Sequence, residues 1–168
     1  MTVNRGTVQA GGVTRIGNHN LLMAYVHIAH DCQLGSHIVM ANGASLAGHV
    51  EIGDYANVGA FCGVHQFTRL GAYCFIGAYT VINKDILPYM KTTADRPMKV
   101  LGANKIGLER QGLPKMDIEE LDEACHLLCR SKLNTTQALE AIEARKFSSA
   151  HVPALVNFIR TSERGVVK

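Results

Sequence analysis

The 168-residue sequence has no tryptophan, only four prolines, and just five tyrosines and five phenylalanines. A chain so poor in large rings must fill its core with aliphatic and small side chains. Charge is sparse too: 18% of residues are Asp, Glu, Lys or Arg and the net charge is +3. That excess is too small for a protein built to neutralise many phosphates, so nucleic-acid binding is not expected. No apolar run approaches the roughly 18 residues that span a bilayer, and the opening MTVNRGTVQAGG lacks the apolar core of a signal peptide, which together predict no membrane span and a cytoplasmic placement. The cysteines, Cys32, Cys62, Cys74, Cys125 and Cys129, are odd in number and contain no CxxC pair. They read as reduced thiols in buried gaps. Cys125 and Cys129 share a helix face without a companion ligand pair, so helix core is favoured there over metal. The 47% hydrophobic content is that of a globular chain.

What is abundant is glycine, 16 residues of it, and a repeat. Stepping by six from Ile16 gives Ile16, Leu22, Ile28, Leu34, Met40, Leu46, Ile52, Val58, Val64, Leu70, Ile76 and Ile82, all aliphatic or Met. Chance would produce such a run roughly once in a million trials per register. Six is not a multiple of the helical 3.6, but it suits a short strand plus a turn that sends one side chain per unit into a narrow interior. The position after the aliphatic is often glycine, as at Gly17, Gly35, Gly53, Gly59, Gly71 and Gly77, which predicts a tight corner there. Four positions past the aliphatic stand small or β-branched residues such as Val26, Cys32, Ala44 and Cys62, expected to pack beneath the corners.

The pattern resembles the hexapeptide repeat of left-handed β-helix acyltransferases, in which three hexads make a triangular coil of eighteen residues. The fold expected is therefore mainly β, a left-handed parallel β-helix over residues 1–87 followed by an α-helical domain over 88–168. Four coils at the usual strand spacing give a prism roughly 20 Å tall. Residues 1–15 carry a broken repeat, with Ala10 in register, and are expected to begin one more coil. Past Pro88 a first helix is predicted over 99–112. A second is expected to about Ser131, opened by a capping box of Asp117 and Glu120, with a third from Asn134 or Thr135 and a fourth from Ser149. This tail should cap one end of the prism.

Residues eighteen apart stack in columns. His30, Gly48, Gln66 and Lys84 form one column, and Asp31, His49, Phe67 and Asp85 the next; the segment VHIAHDC adds His27, which makes a dense polar cluster. Acyl transfer to a hydroxyl needs a base active near neutrality, a group to orient it and donors for the oxyanion. A lone histidine is more often plain surface, and that is the reading of the column His19, His37, Tyr55 and Tyr73, which has no carboxylate. At His30 the motif reverses the odds.

The segments VNRGTVQAGGVTRIGNHNLLMAYVHIAHDC, LAGHVEIGDYANVGAFCGVHQFTRLGA, GANKIGLERQG and SERGVV together resemble the UDP-N-acetylglucosamine O-acyltransferases, which catalyse the first step of lipid A biosynthesis. The HIAHD and GHV pieces recur among hexapeptide enzymes; NRGTVQ, VHQF and GLERQG are more specific. The resemblance implies transfer of a 3-hydroxyacyl group from acyl carrier protein to the 3-hydroxyl of UDP-N-acetylglucosamine, with no cofactor and no metal. His30 would be the general base, Asp31 would orient it and the Gly48 N–H would face the oxyanion. His27, His49 and Gln66 would line the site. Ala78 would stand at the floor of the acyl pocket, where a methyl in place of hydrogen favours a shorter chain. Asn104 and Arg110 would contact nucleotide or donor. The family is a homotrimer with sites between subunits, so His30 and Asn104 would serve one site from different chains. Ile106 and Gln111 depart from a Glu and the second Arg of the family pattern. The family is also longer at its N-terminus, in coils expected to position the acceptor sugar. That leaves a non-catalytic trimeric scaffold or carrier-protein-binding module as the alternative, with poor turnover expected of this chain alone. A three-histidine metal hydratase on the same repeat is disfavoured by the two-residue gap between His27 and His30 and by VHQF.

Overall fold

The structure, a computed structural model, describes residues 1–95 and 97–168. Each hexad forms a two-residue strand whose second residue is the repeating aliphatic, and successive strands fall on three faces in turn. The first face stacks Thr2–Val3, His27–Ile28, Ser45–Leu46, Gly63–Val64 and Val81–Ile82. The second stacks Arg15–Ile16, Gln33–Leu34, Glu51–Ile52 and Arg69–Leu70. The third stacks Leu21–Leu22, Val39–Met40, Asn57–Val58 and Phe75–Ile76. Among the strands from Arg15–Ile16 to Val81–Ile82 the pairing is parallel at eighteen residues, as in Ile28 to Leu46, Leu46 to Val64 and Val64 to Ile82. The result is a parallel β-helix whose interior holds the aliphatic positions: Ile28, Met40, Ile76 and Ile82 are fully buried. Each such side chain contributes about 1.5–3 kcal/mol relative to exposure.

The corners are built differently from the sequence expectation. The glycines after the aliphatics have no positive φ. They are needed because consecutive coils touch there: a Cβ on Gly53 would lie 2.6 Å from the Ala72 nitrogen, and one on Gly71 2.3 Å from the Pro88 nitrogen. The left-handed turn falls two residues later, on His19, Tyr25, Asp31, His37, His49, Tyr55, Phe61, Phe67, Tyr73 and Tyr79. These residues carry φ between 55° and 63°, a region that costs an L-residue roughly 1–2 kcal/mol. Where rings follow one another up a corner they stack, as His37 on Tyr55, His49 on Phe67 and Phe61 on Tyr79, each such pair contributing about 0.5–1.5 kcal/mol against that cost.

The N-terminal segment departs from the repeat. Thr2 pairs with His27 rather than with a residue eighteen on, so seven extra residues leave the coil as a loop. Ala10 lies in a 3₁₀ turn, Val8–Ala10, and is exposed. It does not occupy the interior position its register suggested.

Past Leu87 the third face gains two more strands, Met90–Thr92 in parallel and Val100–Ala103 antiparallel to it. The predicted helix over 99–112 is thus split: burial alternates over Val100–Ala103, Gly102 takes φ 139°, and α1 occupies only Lys105–Arg110. Helix α2 spans Lys115–Cys129 behind Pro114 without a side-chain cap. Instead of closing a capping box, Glu120 accepts hydrogen bonds from Ser148 and from the Ser149 N–H. Those donors hold its carboxyl below the usual range. Asn134 does cap α3, Thr135–Ala144, in a reciprocal box with Gln137. Helix α4 spans His151–Arg160, two residues beyond Ser149. The helices share one core with the prism interior. The C-terminal segment then closes the upper end of the second face: Asp85 N–H donates to the Gly165 carbonyl, Val167 N–H to the Asp85 carbonyl, and the buried Asp85 carboxylate accepts from Arg69 N–H and Ser162 Oγ.

Candidate active site

The corner between the first and second faces assembles the polar cluster. The left-handed turn at Asp31, φ 61°, folds its side chain back against the coil, where it is almost fully buried. Its Oδ2 lies 2.8 Å from His30 Nδ1 and 3.7 Å from His49 Nε2. Burial opposes the Asp31 charge, but hydrogen bonds from Thr7 Oγ1, from His30 and from Thr7 N–H, together with nearby His49, outweigh it and hold the carboxyl below its ordinary value. A carboxylate only accepts, so Nδ1 carries the His30 proton and Nε2 is left as the basic nitrogen. The His30 side chain is 44% exposed, so that nitrogen can meet a substrate.

Gly48 lies directly under this ring. A Cβ there would come within 2.5 Å of His30 Cε1 and 2.8 Å of Nε2. Among the described residues the Gly48 N–H has no hydrogen-bond partner. The basic nitrogen of His30 thus lies close to a glycine whose N–H has no partner among the described residues. His49 stacks on Phe67 at 4.5 Å and meets the His30 ring edge-on at 5.2 Å. His27, three residues before His30 on the first face, accepts or donates at Nδ1 with Thr2 Oγ1 at 2.7 Å. Gln66 stands exposed one coil above Gly48, its carbonyl 3.0 Å from His65 Nδ1. One ligand atom from each of His30, Asp31 and His49 lies within 4.8 Å of the others, a spacing that could chelate a cation. Asp31 Oδ2, however, is already shared by the Thr7 hydroxyl and His30, an arrangement suited to a hydrogen-bonded dyad.

Asn104, Arg110 and Ala78 are elsewhere in the chain. Asn104 and Arg110 line a groove of about 640 Å³ along the third face, with His37, Tyr55, Tyr73 and Lys91. Asn104 is anchored by its Nδ2 to the Tyr73 carbonyl at 3.0 Å, and Gly107 leaves room for it, since a Cβ there would lie 2.3 Å from that Nδ2. Ile106 and Gln111 line the same groove. Ala78 belongs to the third corner, below Tyr79, whose N–H reaches the Ala60 carbonyl. So six of the nine candidate residues (His27, His30, Asp31, Gly48, His49 and Gln66) gather at one corner, and three do not join them within one chain.

The column read from sequence as plain surface forms part of that groove. His19, His37, Tyr55, Tyr73 and Tyr89 stack at 4.6–5.7 Å. Sequence reasoning also missed Thr7 and Thr14; the Thr14 hydroxyl accepts the Asp31 N–H at 2.8 Å. The signal for Thr7 was its place in NRGTVQ, a motif with no assigned role.

Comparison with known proteins agrees with the fold. A family described as UDP-N-acetylglucosamine O-acyltransferase, domain 2, matches residues 85–167, and bacterial transferase hexapeptide repeats match 14–48 and 49–84. The acyl-[acyl-carrier-protein]–UDP-N-acetylglucosamine O-acyltransferase of Psychromonas ingrahamii is 53% identical over 99% of this chain and 63% of its own length. That of Syntrophobacter fumaroxidans is 42% identical over 100% of this chain and 65% of its own length. The crystal structure of the UDP-N-acetylglucosamine acyltransferase from Bacteroides fragilis superposes with a TM-score of 0.94 at 40% identity, covering 98% of this chain and 64% of that one. This chain therefore spans somewhat under two thirds of the length of the relatives it matches.

Proposed function

This chain belongs to the UDP-N-acetylglucosamine O-acyltransferase family, and from that premise we propose that it transfers a 3-hydroxyacyl group from acyl carrier protein to the 3-hydroxyl of UDP-N-acetylglucosamine, the first step of lipid A biosynthesis. The observation that carries the reading is the His30–Asp31 dyad poised over Gly48, whose N–H has no hydrogen-bond partner among the described residues. His30 Nε2 takes the proton of the sugar hydroxyl as its oxygen attacks the thioester carbonyl. Asp31 fixes the ring and stabilises the imidazolium that forms. The Gly48 N–H donates to the oxyanion of the tetrahedral intermediate, which collapses with loss of the carrier thiolate. His30 returns the proton to that sulfur. A thioester is already activated, so base, orienting group and oxyanion donor are what the reaction asks of the protein, and no cofactor or metal enters.

Substrate contacts are assigned to two surfaces. His27, His49 and Gln66 flank the dyad. Asn104 and Arg110 offer an amide and a guanidinium to a nucleotide or donor phosphate in the groove on the third face, beside Lys91 and the rings of Tyr55 and Tyr73. Because dyad and groove sit on different corners of one chain, the working unit is a homotrimer in which the groove and Ala78 of one subunit face the dyad of the next. Among the described residues no helix is long and apolar enough to cross a membrane, which agrees with action in the cytoplasm on carrier-bound acyl chains.

The test is to incubate this chain with 3-hydroxyacyl carrier protein and UDP-N-acetylglucosamine and follow the acylated sugar nucleotide. Product formed at a rate above the uncatalysed background is expected. Carrier-protein binding with no product would leave a binding module in place of an enzyme.

A further inference from the structure

The loop between the first two strands, Arg5 to Val13, leaves the coil and returns to it at the dyad. Its neck is closed at Gly6, where a Cβ would lie 2.0 Å from the Val13 nitrogen and 2.2 Å from the Gly12 carbonyl carbon. No residue but glycine fits there. The next residue, Thr7, is fixed in extended conformation, φ −93° and ψ 152°, and its carbonyl accepts from the N–H groups of Ala10 and Gly12. Held in that way, Thr7 presents two donors to one carboxylate: its N–H reaches Asp31 Oδ1 at 2.8 Å and its Oγ1 reaches Oδ2 at 2.7 Å. Oδ2 is the same oxygen that accepts His30 Nδ1 at 2.8 Å.

A buried carboxylate with one hydrogen bond can swing about its Cβ–Cγ bond. With both oxygens taken by a single rigid residue it cannot, and the lone pair aimed at His30 stays aimed. From this grip we infer that Thr7 is a positioning residue for the transferase reaction, acting through Asp31 to hold His30 in the tautomer whose Nε2 is basic, and that the loop exists to deliver it. The inference rests on the reading of His30 as general base. It gives the NRGT segment a role: Gly6 makes the neck and Thr7 makes the clamp.

Two substitutions separate clamp from scaffold. Thr7→Val keeps the shape and the N–H and removes the hydroxyl; Thr7→Ser keeps the hydroxyl. In Thr7→Val the Asp31 carboxyl, followed by ¹³C NMR, should titrate at higher pH than in the unsubstituted chain, because a donor to its charged form is gone. The ¹⁵N signals of the His30 ring should show loss of the single Nδ1–H tautomer. Thr7→Ser should restore both signals. In the transfer assay Thr7→Val should lower kcat about 10- to 100-fold, as expected for one hydrogen bond to a charged group, with KM for either substrate unchanged and Thr7→Ser close to the unsubstituted rate. If Thr7→Val does not melt cooperatively, Thr7→Ala serves for the same two NMR measurements. An Asp31 titration and a His30 tautomer that ignore the loss of the hydroxyl overturn the inference, whether or not the chain transfers acyl groups. Absence of transfer in the unsubstituted chain overturns the transferase reading alone, since the NMR measurements still decide what Thr7 does.

Discussion

At one corner of the prism His30, Asp31 and His49 meet over Gly48; at the next, His19, His37, Tyr55, Tyr73 and Tyr89 stack in a single column. The backbone is the same at both. Asp31 turns with φ 61° and His37 with φ 59°, and each corner repeats every eighteen residues. The chemistry differs because at one corner the Asp31 carboxylate bonds a histidine ring and is gripped by the loop that carries Thr7, whereas at the other the Asp54 carboxylate is taken by the Ser36 N–H and the rings stack on one another beside a groove. A repeat fold supplies equivalent positions, and an acidic residue set against a histidine, plus one departure from the repeat, makes one of them reactive.

The largest effect should come from exchanging one ring in each column. His30→Ala removes the general base and should reduce kcat about 10²- to 10⁴-fold. His19→Ala, at the exposed end of the aromatic column and outside the groove, should leave kcat unchanged. Equal losses in steady-state assays of the two variants would erase the distinction between the corners.

Next comes the floor of the dyad. Gly48→Ala places a methyl against the His30 ring, an end of a side chain that can move aside, so the fold should survive while the base is displaced. A misplacement of about 1 Å can cost about 10²-fold. Gly63→Ala, one coil away on the first face, adds a Cβ with nothing within 4 Å and should be silent. Melting temperatures and kcat of both variants check this, and a Gly48→Ala enzyme with full activity would remove His30 from its place over that glycine.

The carboxylate also makes the first corner sensitive to acid. Asp31 titrates below its ordinary value in the folded chain, because the Thr7 and His30 hydrogen bonds and the neighbouring His49 outweigh the burial that opposes its charge. The stability it contributes is therefore present above about pH 4, the unfolded value, and is lost as pH falls through the lower folded value. Asp31→Asn should melt below the unsubstituted chain at pH 7, and the gap should narrow as pH drops toward 3. At neutral pH its loss of activity should be milder than that of His30→Ala, since it disturbs orientation and leaves the base. A gap constant with pH would show that Asp31 is not held charged.

The sequence alone made most of the first comparison legible. The aliphatic series from Ile16 to Ile82 and the eighteen-residue columns follow from a strict local period, and the structure keeps that period wherever the chain keeps it; the pairing of His30 with Asp31 is implied by the resemblance that the VHIAHDC segment carries. What was not legible lies where the period breaks. Ala10 falls in register by count because nothing local marks seven residues as a loop; what defines the loop is a closed neck at Gly6 and a contact between Thr7 and Asp31, 24 residues apart. Val100–Ala103 was read into a helix because its pairing partner, Met90–Thr92, is a tertiary neighbour rather than a pattern. Glu120 was read as a capping residue because its sequence offset fits, yet its partners Ser148 and Ser149 come from the approach to α4. The same limit applies to Asn104, whose role as an anchor on Tyr73 depends on a corner 31 residues away.

The smallest effect tests whether the second corner is passive. His19 adopts φ 57° and stacks on His37 with ring centroids 5.0 Å apart and planes 20° off parallel. Its ring therefore contributes stacking, of about 0.5–1.5 kcal/mol for an aromatic pair, while its backbone carries the cost of a left-handed turn. His19→Ala loses the first and keeps the second, so it should melt lowest. His19→Gly loses the stacking too but relieves about 1 kcal/mol of backbone cost, which for a chain of this size corresponds to roughly 2–4 °C. The Gly variant should thus melt above the Ala variant by that margin, with kcat the same in both. Equal melting temperatures would mean that the corner bears no strain for the stacked rings to offset. A change in kcat would mean that the ring column reaches the reaction, and the contrast between the two corners would have to be redrawn around the groove it borders.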